Sequence, residues 1–398
     1  MTVNEHIRHL VEEKFERFVS IRRHLHQNPE LSFQEERTSA FIQEILKELG
    51  IPFTNGWAGH GIVAIIEGEK KGGKVVGVRA DMDALPIQER NEVEYASRNK
   101  GVMHACGHDV HTTSLLGAAM ILNGSRDYFG GTVKLIFQPG EEKLPGGASI
   151  MIKEGVLENP RPDIMLGLHV HPPLEAGKIG MKKGLYMASA DEIYMTVRGQ
   201  GGHAALPQDC VDPILIGSEI IMALQSIISR RNTPTIPSVL SFGKINSEGG
   251  ATNVIPNSVR YEGTFRTMDE SFRQQAHELI VSMAENIARA HGGSAEIDIK
   301  KGYPSLINDH ETTEQMMKSA MDYLGHDKVV DLPPRMTAED FAYFSHEIPA
   351  CFFRLGTGNK EKGITSPVHT DTFDIDEDAL KVSTGVFSKM VIDALQSD

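Results

Sequence analysis

One thiol and three imidazoles lie within eight consecutive positions of this sequence, at His104, Cys106, His108 and His111. Cysteine and histidine are the preferred protein ligands of zinc and related metals. A Cys-x-His pair on a turn can present both donors to one ion, and we expect a helix that starts near Thr112 to anchor that turn. For this segment alone, a buried thiol beside surface histidines is an equally open alternative.

Two adjacent carboxylates, Glu141 and Glu142, follow the apolar stretch Val133–Phe137. Active sites of open α/β sheets collect where strands end. Adjacent side chains point in different directions, so one carboxylate can bind a metal while the other faces a substrate as a base. Two solvated glutamates in a loop are the alternative, which the preceding strand and the turn at Pro139 and Gly140 make less favoured.

Two further histidines complete a set of possible metal donors. His169 ends the apolar stretch Ile164–Leu168, and His369 lies in a polar loop before the last helix. The full set of five donors is Cys106, His108, Glu142, His169 and His369. Because a structural zinc uses only four donors, five suit two adjacent divalent ions with a shared water. Zn, Mn, Co and Ni are all compatible with these ligand types.

The apolar pattern that must position these residues changes twice along the chain. Helices alternate with near-continuous apolar strands up to residue 183, which predicts an α/β domain with a buried, largely parallel sheet. Residues 184–300 follow the order β-α-β-β-α-β of a ferredoxin-like unit. The α/β pattern resumes over 301–398. We therefore expect a discontinuous α/β/α catalytic domain, 1–183 and 301–398, with an inserted α+β lid domain.

Glycine-flanked polar residues mark the turns of the inserted segment, with His203 and Asn253 as the clearest examples. They fit a lid whose polar groups close over a substrate, whereas simple strand reversal is the more common role of such turns. The segment Gly199–Ala204 also imitates a dinucleotide-binding fingerprint. Pro207 stands where the helix that binds the pyrophosphate should run, which argues against a nicotinamide-dependent oxidoreductase.

Composition excludes several classes of function. The 398 residues include 40 Lys and Arg against 54 Asp and Glu, a net charge of −14 that disfavours nucleic acid as a partner. Three cysteines make no disulfide framework and suit a reducing compartment. We also expect no signal peptide at the charged N-terminus and no apolar stretch near the roughly 18 residues of a membrane span. These features predict a cytoplasmic protein without membrane contact.

Seven motifs in order carry a resemblance to a known family. They are RADMDALP (Arg79–Pro86), MHACGHDVHT (Met103–Thr112), FQPGEE (Phe137–Glu142), GLHVHP (Gly167–Pro172), GGHAALP (Gly201–Pro207), TNVIPN (Thr252–Asn257) and PVHTDTF (Pro367–Phe373). Together they resemble the aminoacylase/carboxypeptidase family of co-catalytic metallopeptidases. The amidohydrolase subgroup, with hippurate hydrolases, N-acyl-amino-acid deacylases and indole-acetyl-amino-acid hydrolases, is the most similar. The resemblance spans nearly the whole chain.

The resemblance implies a zinc-exopeptidase-type catalytic domain and roles for individual residues. The two ions would be bound by the five donors named above, and Glu141 would be the catalytic base. His203 would reach the active site of a partner subunit in a homodimer formed through the lid domains. Asn253 and Arg266 would contact the oxyanion and the carboxylate of a small N-acylated amino acid, whose amide bond is hydrolysed.

One position departs from the wider family. The peptidase branch has a ligating histidine where Arg79 stands, with Asp81 as the partner of that histidine, so the role of Asp81 is open here. A dipeptidase or carboxypeptidase on the same scaffold is the nearest alternative function, and a catalytically silent metal-binding module is another. The acyl group and the amino acid are not indicated by the sequence.

Overall fold

The computed structural model describes residues 1–249 and 251–397, which form two compact units. Unit 1 comprises Met1–Gly184, Ile307–Pro333 and the described residues from Asp340 onward; unit 2 comprises the described residues of Leu185–Leu306 together with Pro334–Glu339. Compactness does not test whether a unit folds alone. The predicted domain boundaries at 184 and 301 therefore stay predictions.

The elements follow one another as helices and strands of ordinary length. In chain order the helices are α1 (Val3–Gln27), α2 (Glu36–Glu48), α3 (His108–Asn123), α4 (Gly147–Lys153), α5 (Pro213–Ser226), α6 (Glu270–Ala290), α7 (His310–Leu324), α8 (Ala342–Glu347) and α9 (Ala379–Gln396). The strands are β1 (Phe53–Trp57), β2 (Gly61–Glu67), β3 (Lys70–Asp81), β4 (Gly130–Gln138), β5 (Ile164–Glu175), β6 (Ile179–Met181), β7 (Gly184–Met187), β8 (Asp191–Arg198), β9 (Gly202–His203), β10 (Ser238–Ser247), β11 (Val254–Ile255), β12 (Ser258–Thr267), β13 (Ser294–Lys301), β14 (Leu306–Asn308), β15 (Val329–Asp331) and β16 (Ala350–Gly358).

Unit 1 is built on an eight-stranded sheet in the order β1-β2-β4-β3-β5-β16-β6-β15. Its four central strands, β4, β3, β5 and β16, run parallel. The flanking pairs β1–β2, β2–β4 and β16–β6 are antiparallel. The predicted α/β class is confirmed, but the sheet is mixed, because β2 and β6 run antiparallel to β4 and β16, the central strands beside them.

The register of the parallel strands brings their carboxyl ends to one edge. Asp81 pairs with Gln138 across β3 and β4, and Arg79 pairs with Gly167 across β3 and β5, two residues before His169. The chain leaves each of these strands at the same end of the sheet. This is the place where the ligands of open α/β folds bind.

Helix α3 begins earlier than the sequence predicted. It starts at His108 rather than near Thr112, after Gly107, whose φ of 84° is suited to glycine. His108 and His111 therefore lie on the first turn of a helix, three positions apart on one face. All residues from His108 to Leu122 are buried, and the part before Thr112, which the sequence analysis expected to be a turn, is helical.

Unit 2 contains a four-stranded antiparallel sheet in the order β10-β12-β8-β13, with α5 and α6 packed against it. The chain order β8-α5-β10-β12-α6-β13 is the predicted β-α-β-β-α-β pattern. Alternate residues of β8 are buried, and Ile193, Met195 and Val197 belong to the same hydrophobic core as Ile216 and Ile280. The period of two along the strand is what made this unit recognisable from sequence.

The stretch Pro213–Arg231 is long and apolar enough to cross a membrane, judged by length and composition, and 33% of its most apolar window is buried. The sequence analysis, which expected no apolar stretch of this length, overlooked it. Core helices meet the same criteria, and Ile216, Ile220 and Leu224 of this stretch belong to the core of unit 2. The absence of membrane contact stays a prediction.

Candidate metal centre and active site

Cys106 lies at the centre of the candidate metal site. Its Sγ is 3.3 Å from Nε2 of His169 and 3.3 Å from Nε2 of His369. The same His369 nitrogen is 3.3 Å from Oε1 of Glu142, and that oxygen is 3.9 Å from Nε2 of His108. The fold of unit 1 thus brings together all five side chains that the sequence analysis named as donors.

The donors form two overlapping groups that share Cys106. Within each group the donor atoms lie no more than 4.8 Å apart. One group is Cys106, His108 and His169, and the other is Cys106, Glu142 and His369. Two overlapping triads are the arrangement expected for two neighbouring ions rather than for one.

Hydrogen bonds orient two of the imidazole rings. Nδ1 of His169 donates to the carbonyl oxygen of Val170 at 2.8 Å, which leaves Nε2 as the unprotonated atom facing Cys106. Nδ1 of His108 donates to Oδ1 of Asp83 at 3.2 Å, which leaves its Nε2 for the site. His169 therefore presents a lone pair. Burial opposes protonation of His108, but the carboxylates of Asp81 and Asp83 outweigh it and raise its pKa to about 10, so its Nε2 would lose a proton when a cation binds.

Buried acceptors without partners show that the residues fit a cation. Among the described residues, no hydrogen bond reaches Nε2 of His108 or Oε1 of Glu142. Burial and the charges of Glu142 and Glu141 raise the pKa of the Cys106 thiol well above its usual range. A divalent cation would satisfy these acceptors and stabilise the thiolate, as metal binding to cysteine requires.

Glu141 lies beside the donors without belonging to either of the two triads. Its carboxylate oxygen is within 4.8 Å of the donor atoms of His108 and Glu142, and the residue is only 7% exposed. Oε1 of Glu141 accepts the peptide N–H of Asp340 at 3.4 Å. A carboxylate in this place is suited to accept a proton from a water held at the site.

The role of Asp81, which the sequence left open, becomes clear from its contacts. Oδ1 of Asp81 accepts a hydrogen bond from Nδ1 of His111 at 2.5 Å, and Nε2 of His111 accepts the peptide N–H of Val170 at 3.0 Å. Asp81 and His111 thus brace the backbone that follows His169. The guanidinium of Arg79 donates to Oδ2 of Asp81 at 2.7 Å.

Sequence reasoning assigned no role to Asp83 or His111, which both lie near the site. His111 was counted in the cluster of imidazoles but was given no role. Asp83 was quoted only within a motif, although its position two residues after Asp81, just past the end of β3, was the available signal. The structure shows Asp83 buried and in contact with His108.

Unit 2 contains the other residues predicted to act in the site. His203 lies on β9, and Asn253 directly precedes β11, the strand that pairs with β9; the carbonyl oxygen of Asn253 accepts the peptide N–H of Ala204. Arg266 lies on β12 of the larger sheet, where Nη1 donates to the carbonyl oxygen of Met336 at 3.1 Å. The roles of these three residues stay predictions, as do those of the metal donors and of Glu141.

Comparison with protein families decides the membership of the chain. Residues 77–393 match the family described as Peptidase family M20/M25/M40. The chain belongs to this family. The family assignment made from the seven motifs is confirmed, and with it the prediction that the M20 chain is a hydrolase.

Three relatives indicate what the M20 chain is similar to. N-acetyl-L-cysteine deacetylase of Bacillus subtilis (strain 168) is 42% identical over 363 residues, which are 91% of this chain and 84% of the relative. N-acyl-L-amino acid amidohydrolase of Geobacillus stearothermophilus is 43% identical over 307 residues, 77% and 82% of the two chains. Thermostable carboxypeptidase 2 of Saccharolobus solfataricus is 38% identical over 385 residues, 96% of each.

A solved structure agrees with the fold. The Bacillus subtilis YXEP protein, described as a dinuclear metal-binding peptidase of the M20 family, superposes with a TM-score of 0.83 at 35% sequence identity. The superposition covers 97% of this chain and 100% of that protein. The expected architecture of a catalytic domain with a lid is therefore confirmed.

Proposed function

We propose that this protein is a metal-dependent amidohydrolase that cleaves small N-acyl amino acids into a carboxylic acid and a free amino acid. The observation that carries the proposal is the placement of Glu141 beside two donor triads that share Cys106. Relatives named as a deacetylase of N-acetyl-L-cysteine and as an N-acyl-L-amino acid amidohydrolase support this substrate class.

The cofactor is a pair of divalent ions, in agreement with the dinuclear relative. Cys106, His108 and His169 would hold one ion, and Cys106, Glu142 and His369 would hold the other. Zn, Mn, Co and Ni all suit the donor set, and the choice among them is part of the proposal. When bound, such ions lower the pKa of a water from about 15.7 toward neutrality and polarise a carbonyl group.

Glu141 then transfers one proton during the reaction. Glu141 accepts it from the attacking water as the new C–O bond forms at the amide carbon. Glu141 returns the same proton to the nitrogen of the amino acid as the C–N bond breaks, so the carboxylate is restored for the next turnover. Its burial keeps bulk water from competing for this proton.

The lid supplies the remaining contacts of the proposal. His203 of a partner subunit would stabilise the oxyanion, Asn253 would assist it, and Arg266 would bind the substrate carboxylate. A homodimer through unit 2 is supported by the exposed apolar residues Leu215 and Met222 of α5, which are 59% and 77% exposed. A cytoplasmic location is supported by the free state of Cys106, Cys210 and Cys351.

A hydrolysis panel tests the proposal. N-acetyl-, N-benzoyl- and indole-acetyl-amino acids are offered beside dipeptides, with EDTA and with added Zn, Mn, Co or Ni. We expect EDTA-sensitive release of amino acids from the acylated set, with slow cleavage of dipeptides. Fast cleavage of dipeptides alone would instead support a peptidase, the second candidate, which the similarity to a carboxypeptidase favours.

A further inference from the structure

Three consecutive peptide N–H groups at the candidate site are bound by two buried carboxylates. The N–H of Gly140 donates to Oε1 of Glu35 at 2.8 Å. The next two N–H groups, of Glu141 and Glu142, donate to Oδ1 and Oδ2 of Asp83, each at 3.0 Å. Consecutive N–H groups of a tight turn form a concavity that binds anions. Here side chains of the same chain occupy it.

Asp83 also fixes a second part of the site. Oδ1, which accepts the N–H of Glu141, lies 3.2 Å from Nδ1 of His108. Oδ2 accepts the hydroxyl of Ser32 at 2.6 Å, and Asp83 is 1% exposed. One carboxylate therefore links a metal-donor ring to the turn that carries the base and another donor.

Glu35 fixes the start of the same turn. Its Oε1 accepts the N–H of Phe33 at 2.9 Å as well as that of Gly140, whereas Oε2 is buried without a partner among the described residues. Gly140 has φ +64°, and a Cβ there would lie 2.4 Å from the ring of Phe33. The segment of Glu35 is thus packed directly onto the turn.

Burying the carboxylates of Asp83 and Glu35 side by side opposes folding, which indicates that they have a function besides stability. Burial and the nearby charge of Asp83 raise the pKa of Glu35 to about 7. Two buried carboxylates close together oppose folding unless each is well hydrogen-bonded. Three of the six groups named above as bonded to them are consecutive backbone N–H groups of one short turn, so the two carboxylates secure the conformation of that turn.

We propose that Asp83 and Glu35 are positioning residues that hold Glu141, Glu142 and His108 in the arrangement needed for two metal ions and for proton transfer. The expected effect of these residues on kcat rests on the proposed function. Its consequence for metal binding is independent of any substrate. Partners of metal ligands typically change metal affinity or activity by about 10- to 100-fold when they are removed.

The test uses the full-length protein freed of metal by a chelator and titrated with Co²⁺, followed by its visible absorption. For Asp83→Asn we expect the Kd for Co²⁺ to rise about 10- to 100-fold, with a changed d–d spectrum. Each oxygen of Asp83 accepts two hydrogen bonds, and an asparagine puts an amide NH₂ in place of one of these oxygens, so at least one peptide N–H contact is lost. In hydrolysis, kcat should fall with little change in KM.

Glu35 provides a matched pair of variants. Because both of its hydrogen bonds go to Oε1, Glu35→Gln can keep them and should bind Co²⁺ like the wild type. Glu35→Ala loses them and should weaken binding in the same direction as Asp83→Asn. Glu30→Gln is the control. Glu30 is a buried carboxylate of the same segment that accepts the N–H of Thr38 in α2, and among the described residues it has no hydrogen bond to any of the five metal-donor side chains.

The outcomes separate the two proposals. If folded Asp83→Asn and Glu35→Ala bind Co²⁺ with the wild-type affinity and spectrum, the positioning role is refuted. If Glu30→Gln weakens Co²⁺ binding equally, general destabilisation explains the effect and the role is also refuted. Should Asp83→Asn not fold, the Co²⁺ affinities of Glu35→Ala and of the milder Ser32→Ala decide whether the positioning role holds. A wild type that binds Co²⁺ but cleaves no N-acyl amino acid would refute only the proposed function.

Discussion

A buried ion pair in unit 2 offers a stability prediction that does not depend on the metal site. Asp191 accepts two hydrogen bonds from the guanidinium of Arg273, at 2.5 and 2.9 Å, and one from Nε2 of His277 at 2.7 Å. The N–H of Gly302 adds a fourth at 3.0 Å. Asp191 and Arg273 are each 1% exposed.

The perturbation is Asp191→Asn, which removes the charge and keeps the size. Burial opposes ionisation of Asp191, but the bonds from Arg273 and His277 outweigh it and lower its pKa from 3.8 to about 2. A difference of roughly 1.8 units corresponds to ~2.5 kcal/mol of unfolding free energy. Removing one partner of a buried pair costs about 3–5 kcal/mol in other proteins, because the remaining charge is left uncompensated. We expect a loss of about 2–4 kcal/mol.

The assay is native-state hydrogen exchange on peptides of α6 and β8 near pH 7, where protection should fall by roughly 30- to 800-fold. Glu192→Gln is the matched control, because Glu192 is an exposed neighbour on the same strand and its loss should cost less than ~0.5 kcal/mol. The depressed pKa means that the contribution of Asp191 is present above pH 3.8 and is lost as the pH falls through about 2. The difference in unfolding free energy between the wild type and Asp191→Asn should therefore become smaller in acid. Equal protection in the two variants, or a gap that widens in acid, would refute the reasoning.

Three further predictions concern the site and the packing beneath it. Glu141→Gln should keep two metal ions per chain by elemental analysis but lose about 100- to 10,000-fold in kcat; near-full activity would rule out its role as base. His203→Ala should leave Co²⁺ binding unchanged and lower kcat about 100- to 1000-fold, whereas an unchanged kcat would contradict its oxyanion role. Gly117→Ala should lower the free energy of unfolding in urea by about 1–3 kcal/mol, because the new Cβ would meet the Thr384 methyl at 2.3 Å. Gly124→Ala, with its nearest atom at 3.5 Å, is the control and should be near neutral.

The sequence by itself indicated most of the elements and the candidate metal donors. Strand periodicity and apolar runs are local properties, so β2, β3, β4 and β5, and the elements β8, α5, β10, β12, α6 and β13 of unit 2, could be predicted from neighbouring residues alone. Cysteine and histidine spacing around Cys106 and the paired Glu141 and Glu142 are local in the same way. These motifs were sufficient to indicate a metal hydrolase and its family.

Some local features were nevertheless misjudged. His108 to His111 looked like a polar turn, because a buried helix that begins with charged residues has no apolar stripe to reveal it. Strand β16 was not predicted, and it is buried along its whole length with Arg354 at its centre. In both places tertiary burial overrides what the polarity of the residues suggests.

Only the tertiary structure decided how the donors are held. Glu35 and Gly140 are 105 positions apart, Asp83 and Glu142 are 59 apart, and Cys106 and His369 are 263 apart. No periodicity links residues at such separations, because their contact depends on strand order and on the turn conformation at the sheet edge. The sequence could name the candidate metal-binding side chains, but the carboxylates proposed to position them are recognisable only once the folded backbone shows which N–H groups they face.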